Sequence, residues 1–163
     1  MASRALILAL RLLMLVFLVV SLVVLTTDTA TLQIYFNTEV QVRFRDVYAY
    51  RYMLGTIVVG AAYTLIQIAR TLHRTCKANQ EISRDSVTLF DFFADQITSY
   101  VLATGSAAGF GATKDLKSVF EFVGSAYDKF FNKGYAAASL LLFAFVCAAL
   151  LSILSSFGLP KKV

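Results

Sequence analysis

Four apolar runs, each long enough to cross a lipid bilayer, constrain this chain of 163 residues more than any other feature. A helix needs about 20 residues to span the hydrocarbon layer of a membrane, which is roughly 30 Å thick. The runs extend from Ala5 to Leu25, from Tyr50 to Ile68, from Val87 to Phe110 (with residues 88–110 in the bilayer) and from Gly134 to Phe157. Hydrophobic residues make up 58% of the chain and its mean hydropathy is +0.70. We therefore predict an all-α membrane protein whose residues 1–163 form one domain, a four-transmembrane-helix antiparallel bundle.

The first run is better explained as a retained helix than as a secretory signal peptide. Arg4 precedes it and small residues follow near Ala30, but the apolar core of a signal is short and carries no charge. This run has Arg11 inside it. Basic residues are equally numerous on the two predicted sides, but those on the side of Arg4 are spread over fewer residues. Since positive charge concentrates in cytoplasmic loops, we expect a multi-pass protein with both termini in the cytoplasm.

Two opposite charges lie inside the apolar runs at similar depths. Asp95 lies roughly 8 Å inside the third run, and Arg11 lies roughly 9 Å inside the first. Because the first and third spans cross in the same direction, both charges fall in one leaflet. A buried charge needs a partner, so we predict a structural intramembrane pair of Arg11 and Asp95 on neighbouring helices. The alternative is that Arg11 extends along its helix to the lipid headgroups.

The second run carries small and polar residues on one helical face. Offsets of three and four place four residues on the same side of a helix: Thr56, Gly60, Tyr63 and Gln67. Counted from Arg70, Tyr63 lies roughly 10 Å deep, level with the two charges. We expect Tyr63 and Gln67 to support the pair by hydrogen bonding, and Gly60 to let another helix approach closely.

The third run combines acidic residues with small residues. Small side chains let membrane helices pack closely. Those that we assign to helix packing are Ser99, Ala103, Gly105 and Gly109, the last two forming a Gly-x-x-x-Gly motif. Asp91 precedes Asp95 by four residues, but we expect it to be solvated at the membrane boundary. A catalytic pair of carboxylates is therefore not predicted.

The loops on the predicted outer side carry two further patterns. From Val40 to Arg45 apolar and polar residues alternate, and Asn37 is a typical turn residue. A short outer-loop hairpin is one interpretation of this pattern, and an irregular loop is the other. From Leu116 to Phe131 apolar residues recur at offsets of three and four, which predicts an amphipathic helix before the fourth span. That helix either lies on the membrane and the bundle or binds an extracellular partner.

Charge and titratable residues exclude several kinds of function. The net charge of +5 fits contact with anionic membrane lipids, whereas no run of basic residues indicates nucleic acid. One histidine and two separated cysteines provide no haem site, zinc site or disulfide framework, so we expect no metal, no cofactor and no enzymatic activity. Cys76 lies near the bilayer, where S-palmitoylation occurs, with an unmodified cysteine as the alternative. Tyr48, Tyr50 and Tyr52 surround Arg51 and are expected to anchor the second span at the interface.

Arg11 and three longer segments have counterparts in a known family. The segments are FRDVYAYRYMLG (Phe44 to Gly55), AYTLIQIAR (Ala62 to Arg70) and FADQITSYVLATGSAAG (Phe93 to Gly109). Together they resemble the plant Casparian strip membrane protein-like (CASP-like) family, tetraspan proteins related to MARVEL domains. The likeness extends from Leu6 to Leu159, and the hallmark arginine and aspartate of the family correspond to Arg11 and Asp95. The first outer loop lacks the signature of the strip-forming members and the second has no cysteines, which indicates a short-looped branch.

This resemblance implies a plasma-membrane protein that associates with itself and with related family members. The strip-forming members act as scaffolds that make a diffusion barrier and recruit wall-modifying enzymes. We therefore expect a non-enzymatic plasma-membrane scaffold that organises a membrane subdomain and recruits cell-wall-modifying partners. The alternative is a small transporter or channel subunit that uses Asp95, because intramembrane carboxylates often line ion paths. The lack of broken helices argues against that alternative.

Overall fold

Four long helices and one short hairpin make up the computed structural model, which describes residues 4–27, 29–34, 38–43, 47–76, 84–120 and 128–156. The elements in chain order are α1 (Arg4–Thr26), β1 (Thr29–Ile34), β2 (Thr38–Arg43), α2 (Tyr48–Cys76), α3 (Arg84–Phe120) and α4 (Asp128–Ser156). This is the predicted all-α membrane protein.

The helices form a four-membered ring in which each packs against two neighbours, in the order α1, α2, α3, α4 and back to α1. Contacts join opposite ends of adjacent helices. Tyr50 at the start of α2 meets Thr113 near the end of α3, and Arg70 near the end of α2 meets Asp91 near the start of α3. Adjacent helices are therefore antiparallel, and α1 and α3 lie diagonally across the bundle.

Three helices of the described residues are long and apolar enough to cross a membrane, over Ala5–Thr26, Tyr48–His73 and Phe130–Ser156. Helix α3 is longer than any of these, but its acidic and amide side chains make it less apolar. Its segment from Asp91 to Thr113 lies beside the α2 segment from Tyr50 to Arg70 and is about 33 Å long. That length equals a bilayer crossing, and the four-span domain stays a prediction that this geometry supports.

Helix α3 is longer than the predicted third span, and its last residues take up the beginning of the amphipathic helix expected before the fourth span. No proline occurs between Phe110 and Phe120, and α3 continues without a break to Phe120. Helix α4 begins at Asp128, and residues 121–127 lie outside the described residues. Phe130 and Phe131 are buried in the core of the bundle. Of the apolar pattern from Leu116 to Phe131, Leu116 thus lies near the end of α3 and Phe130 and Phe131 lie at the beginning of α4, whereas its middle lies outside the described residues. Burial inside the bundle produces the same periodicity as burial in a membrane surface.

The loop between α1 and α2 contains the two-stranded hairpin. Strands β1 and β2 are antiparallel, with Thr29 opposite Arg43 and Ile34 opposite Thr38. The first four residues of the alternating segment, 40–43, fall within β2, whereas the turn residue Asn37 and residues 44–46 lie outside the described residues.

Tyr50 belongs to the bundle core and not to the predicted interface anchor. An α-helix turns by about 100° per residue, so Tyr48 and Tyr52 share a face while Tyr50 points to the opposite side. Tyr48 and Tyr52 are exposed, whereas Tyr50 is fully buried and packs edge-on against Phe130. Its hydroxyl lies 2.8 Å from Thr113 Oγ1, and this hydrogen bond joins α2 to α3.

We expect Tyr50→Phe to lower the free energy of unfolding by about 1 kcal/mol, the usual net value of a buried hydrogen bond. Tyr48→Phe is the matched control, because it makes the same change at the other, exposed face of the helix turn. Denaturant titration in detergent micelles, followed by far-UV circular dichroism, measures both. Equal stability of the two variants would show that the Tyr50 hydroxyl contributes nothing.

Candidate functional site

The buried charges Arg11 and Asp95 meet inside the bundle. Arg11 Nη2 lies 3.5 Å from Asp95 Oδ2, and the two side chains are only 5% and 3% exposed. The guanidinium points into the protein and not towards the headgroups. The expectation of neighbouring helices was wrong, because Arg11 lies on α1 and Asp95 on α3, which face each other diagonally. The pair therefore crosses the centre of the bundle.

Both carboxylate oxygens of Asp95 accept further hydrogen bonds. The Tyr63 hydroxyl on α2 donates to Oδ1 at 2.5 Å, and the Ser155 hydroxyl on α4 donates to Oδ2 at 3.4 Å. Sequence reasoning identified Tyr63 but missed Ser155. The signal in the sequence was the spacing, because Ser155 follows Ser152 by three residues and therefore lies near the same face of α4.

Gln67 connects the pair to a second ion pair near the end of α2. Its Oε1 accepts from Arg11 Nη1 at 2.8 Å, while its Nε2 donates to the Tyr63 hydroxyl at 2.9 Å and to Asp91 Oδ1 at 3.2 Å. Arg70 Nη1 lies 3.1 Å from the same Asp91 oxygen. Asp91 was expected to be solvated, but its side chain is only 15% exposed, since Arg70 and Gln67 cover it.

These residues form a unit that we call the polar cluster. Its members come from all four helices and are Arg11, Tyr63, Gln67, Arg70, Asp91, Asp95 and Ser155. Two cationic and two anionic side chains balance their charges within it. One buried donor atom, Arg11 Nε, has no partner among the described residues. Because the carboxylates are already bound to donors, the arrangement is suited to holding helices together and not to abstracting protons from a substrate.

Glycines bring α2 close to α3 and α1. A Cβ atom on Gly60 would lie 2.8 Å from Leu102 Cδ2 and 3.5 Å from Leu18 Cδ1, and one on Gly109 would lie 2.7 Å from Met53 Sδ. A Cβ atom on Gly105 would collide with Oγ1 of Thr56. Close packing of helices therefore depends on the glycines at these positions.

The stripe of small residues at four-residue steps on α3 is buried only at its beginning. Ser99 is buried and Ala103 is half-buried, whereas Ala107 and Gly111 are exposed. A step of four residues turns an α-helix by about 40° more than a full turn, so such a stripe drifts out of an interface. Of the residues assigned to helix packing, Ala103 accordingly lies at the margin of the interface.

The chain as a whole is similar to known proteins. The Casparian strip membrane protein domain matches residues 1–147, a range that contains every member of the cluster except Ser155. The CASP-like protein 4D1 of Ricinus communis is 56% identical over 163 residues, which cover 100% of this chain and 96% of the relative. The CASP-like protein 4D1 of Populus trichocarpa is 54% identical over 162 residues (99% and 90%). The CASP-like protein 4D2 of Arabidopsis thaliana is 44% identical over 164 residues (98% and 92%). No solved structure matches the chain.

Proposed function

The chain belongs to the Casparian strip membrane protein-like family, and on that premise we propose that it is a non-enzymatic scaffold of the plasma membrane. In this role it associates with itself and with related family members, organises a membrane subdomain and recruits cell-wall-modifying partners at its outer side. The observation that carries the proposal is the closed polar cluster, in which buried charges are bound to each other and to helices of the same bundle.

Two features of the cluster support a structural role. Asp95 is almost completely buried and its oxygens accept from Arg11, Tyr63 and Ser155. An ion pathway would instead need a carboxylate that faces a water-filled passage. The cluster also ties four helices at one level of the bundle, which makes a rigid body whose remaining surface is free for association.

The proposed topology has four membrane crossings with both termini in the cytoplasm. Helix α3 supplies the crossing between α2 and α4, because its segment from Asp91 to Thr113 lies beside the apolar α2 over a bilayer thickness. The hairpin of β1 and β2 then lies outside, where it is available to an extracellular partner. Anionic membrane lipids contact the basic residues at both boundaries.

Fluorescence recovery after photobleaching of a tagged copy in a plant cell tests the scaffold. We expect an immobile fraction in plasma-membrane patches, because an assembled scaffold exchanges subunits slowly. An unrelated four-helix membrane protein with the same tag is the control and should recover freely. Complete recovery of this protein at the rate of the control would contradict the proposal.

Transport through Asp95 is the competing function and has a direct test. Purified protein in liposomes should produce no proton or cation flux above that of empty liposomes, because the carboxylate is occupied by internal partners. A flux that is present in the unmodified protein and lost in Asp95→Asn would favour the transporter.

A further inference from the structure

A pair of hydroxyl groups lies on the lipid-facing side of the contact between α2 and α3, away from the polar cluster. Tyr52 OH and Thr104 Oγ1 are 2.9 Å apart, and both residues are exposed. The surrounding exposed residues on these two helices are mainly apolar, as lipid contact requires. The hydrogen bond between them holds two polar groups at the edge of this apolar surface.

The protons of both hydroxyl groups are already used inside the protein. Thr104 Oγ1 donates to the carbonyl of Val101 at 2.9 Å, and a hydroxyl group has a single proton. Either hydroxyl can donate in the Tyr52–Thr104 contact, and both hydrogen bonds form together when Tyr52 is the donor. The pair retains free lone pairs but no free proton, so a ligand at this position must donate a hydrogen bond. Phosphate and ester groups of phospholipids, which only accept, do not meet that requirement.

The depth of the pair matches the boundary between headgroups and hydrocarbon. Tyr52 lies four residues after Tyr48, where the membrane-spanning part of α2 begins, which corresponds to about 6 Å of helix. Arg51 lies against the ring of Tyr48 nearer the headgroups. A membrane lipid that donates to Tyr52 has its donor group at this height and its body in the hydrocarbon.

The surface on the bilayer side of the pair is apolar and stiff. Val59 follows Tyr52 by seven residues on α2, and Ile97 precedes Thr104 by seven residues on α3, so each lies on the same helical face about 10 Å deeper. Both side chains are exposed and β-branched, with restricted rotamers. Gly55 lies between Tyr52 and Val59, and a Cβ atom there would have no neighbour within 4 Å. The strip thus offers an open, rigid apolar surface.

We propose that the hydroxyl pair of Tyr52 and Thr104, together with the apolar strip of Gly55, Val59 and Ile97, binds a membrane sterol. A sterol combines the two required properties, because its single hydroxyl donates at the membrane boundary and its rigid rings extend into the hydrocarbon. The hydroxyl donates to Tyr52, and the rings lie on the strip. This site is independent of the scaffold role, and either proposal can be wrong without the other.

Single tryptophans provide the test, since the chain contains no tryptophan. Val59→Trp places a fluorophore in the strip, and Val16→Trp on α1 is the matched control, because the two valines are 58% and 56% exposed. The probe is a dibrominated sterol, a contact quencher, added in increasing fraction to phospholipid liposomes that contain the protein. We expect Val59→Trp to reach half-maximal quenching at a sterol fraction about fivefold lower than Val16→Trp, the factor that one net hydrogen bond provides.

Two further measurements test the chemistry of the site. Tyr52→Phe in the Val59→Trp protein should abolish the preference, as should methylation of the sterol hydroxyl, which removes the donor and keeps an acceptor. Size-exclusion chromatography and circular dichroism check that the variants fold. Four results would each overturn the proposal. The first two are equal quenching of the two tryptophans, and a preference of Val59→Trp for the sterol that remains after either change. The other two are displacement of the sterol by a sphingolipid, and shielding of Val59→Trp that increases with protein density.

Discussion

Replacing either Arg11 or Asp95 by leucine is expected to destabilise the protein by about 3 to 5 kcal/mol, because each change strands the other charge inside the bundle. Asp95→Leu should be the more harmful of the two. It leaves Arg11 with the amide oxygen of Gln67 as its acceptor, whereas Arg11→Leu leaves Asp95 with two hydroxyl donors. Denaturant titration in micelles and the folded yield after purification measure these effects.

The double variant Arg11→Leu/Asp95→Leu distinguishes the stability that comes from pairing the two charges from the cost of burying each charge alone. It should recover a large part of the lost stability, with a coupling free energy of about 0.5 to 3 kcal/mol in the double-mutant cycle. Asp115→Leu is the matched control for Asp95→Leu, since it makes the same change at an exposed position of α3 and should alter stability by less than about 0.5 kcal/mol. Simple addition of the two single losses would rule out the pair.

Gly105→Ala is expected to weaken the contact between α2 and α3 by about 1 to 3 kcal/mol, the usual cost of overpacking. The new Cβ atom would collide with Oγ1 of Thr56 and lie 2.9 Å from its Cβ. Thr56 has little freedom to move away, because its hydroxyl donates to the carbonyl of Met53 at 2.8 Å. Adding Thr56→Ala should restore only part of the stability, since its Cβ atom remains.

Gly111→Ala is the control for this substitution on the same helix. A Cβ atom at Gly111 would have no neighbour within 4 Å, so the variant should be as stable as the unmodified protein or about 0.5 to 1 kcal/mol more stable through higher helix propensity. Thermal unfolding monitored by circular dichroism compares the two. If both alanine variants behave alike, close approach at Gly105 does not hold α2 against α3.

The sequence predicted the bundle and the centre of the polar cluster from apolar length and matching depth. Those signals lie in the spacing of residues along the chain. The depth of a residue in the membrane says nothing about the order of the helices around the bundle. The diagonal position of Arg11 and Asp95 could therefore not be predicted from it. The partial burial of Asp91 was missed for a related reason. Its depth alone indicated a solvated group, whereas Arg70, on the neighbouring helix, covers it.

At the ends of the helices, the apolar periodicity of the sequence did not predict which surroundings a residue contacts. An apolar face with helical spacing has the same sequence pattern whether it contacts a membrane surface or a bundle core. Phe130 was therefore assigned to an amphipathic surface helix, whereas it is buried in the core. Tyr50 shows the opposite case. Its aromatic neighbours in sequence favoured an interfacial role, but the helical angle separates it from Tyr48 and Tyr52 and turns it into the core.

The diagonal pair also sets an order of events during synthesis of the protein. Arg11 precedes Gln67 by 56 residues and Asp95 by 84. At about 5 to 20 residues per second of synthesis, Asp95 is added to the chain roughly 4 to 17 s after Arg11. During that interval the first helix carries a charge whose partner on the third helix has not been synthesised, and from its depth the long side chain can reach the lipid headgroups. Before the third helix has been synthesised, the Arg11–Asp95 contact therefore contributes nothing to the association of the first two.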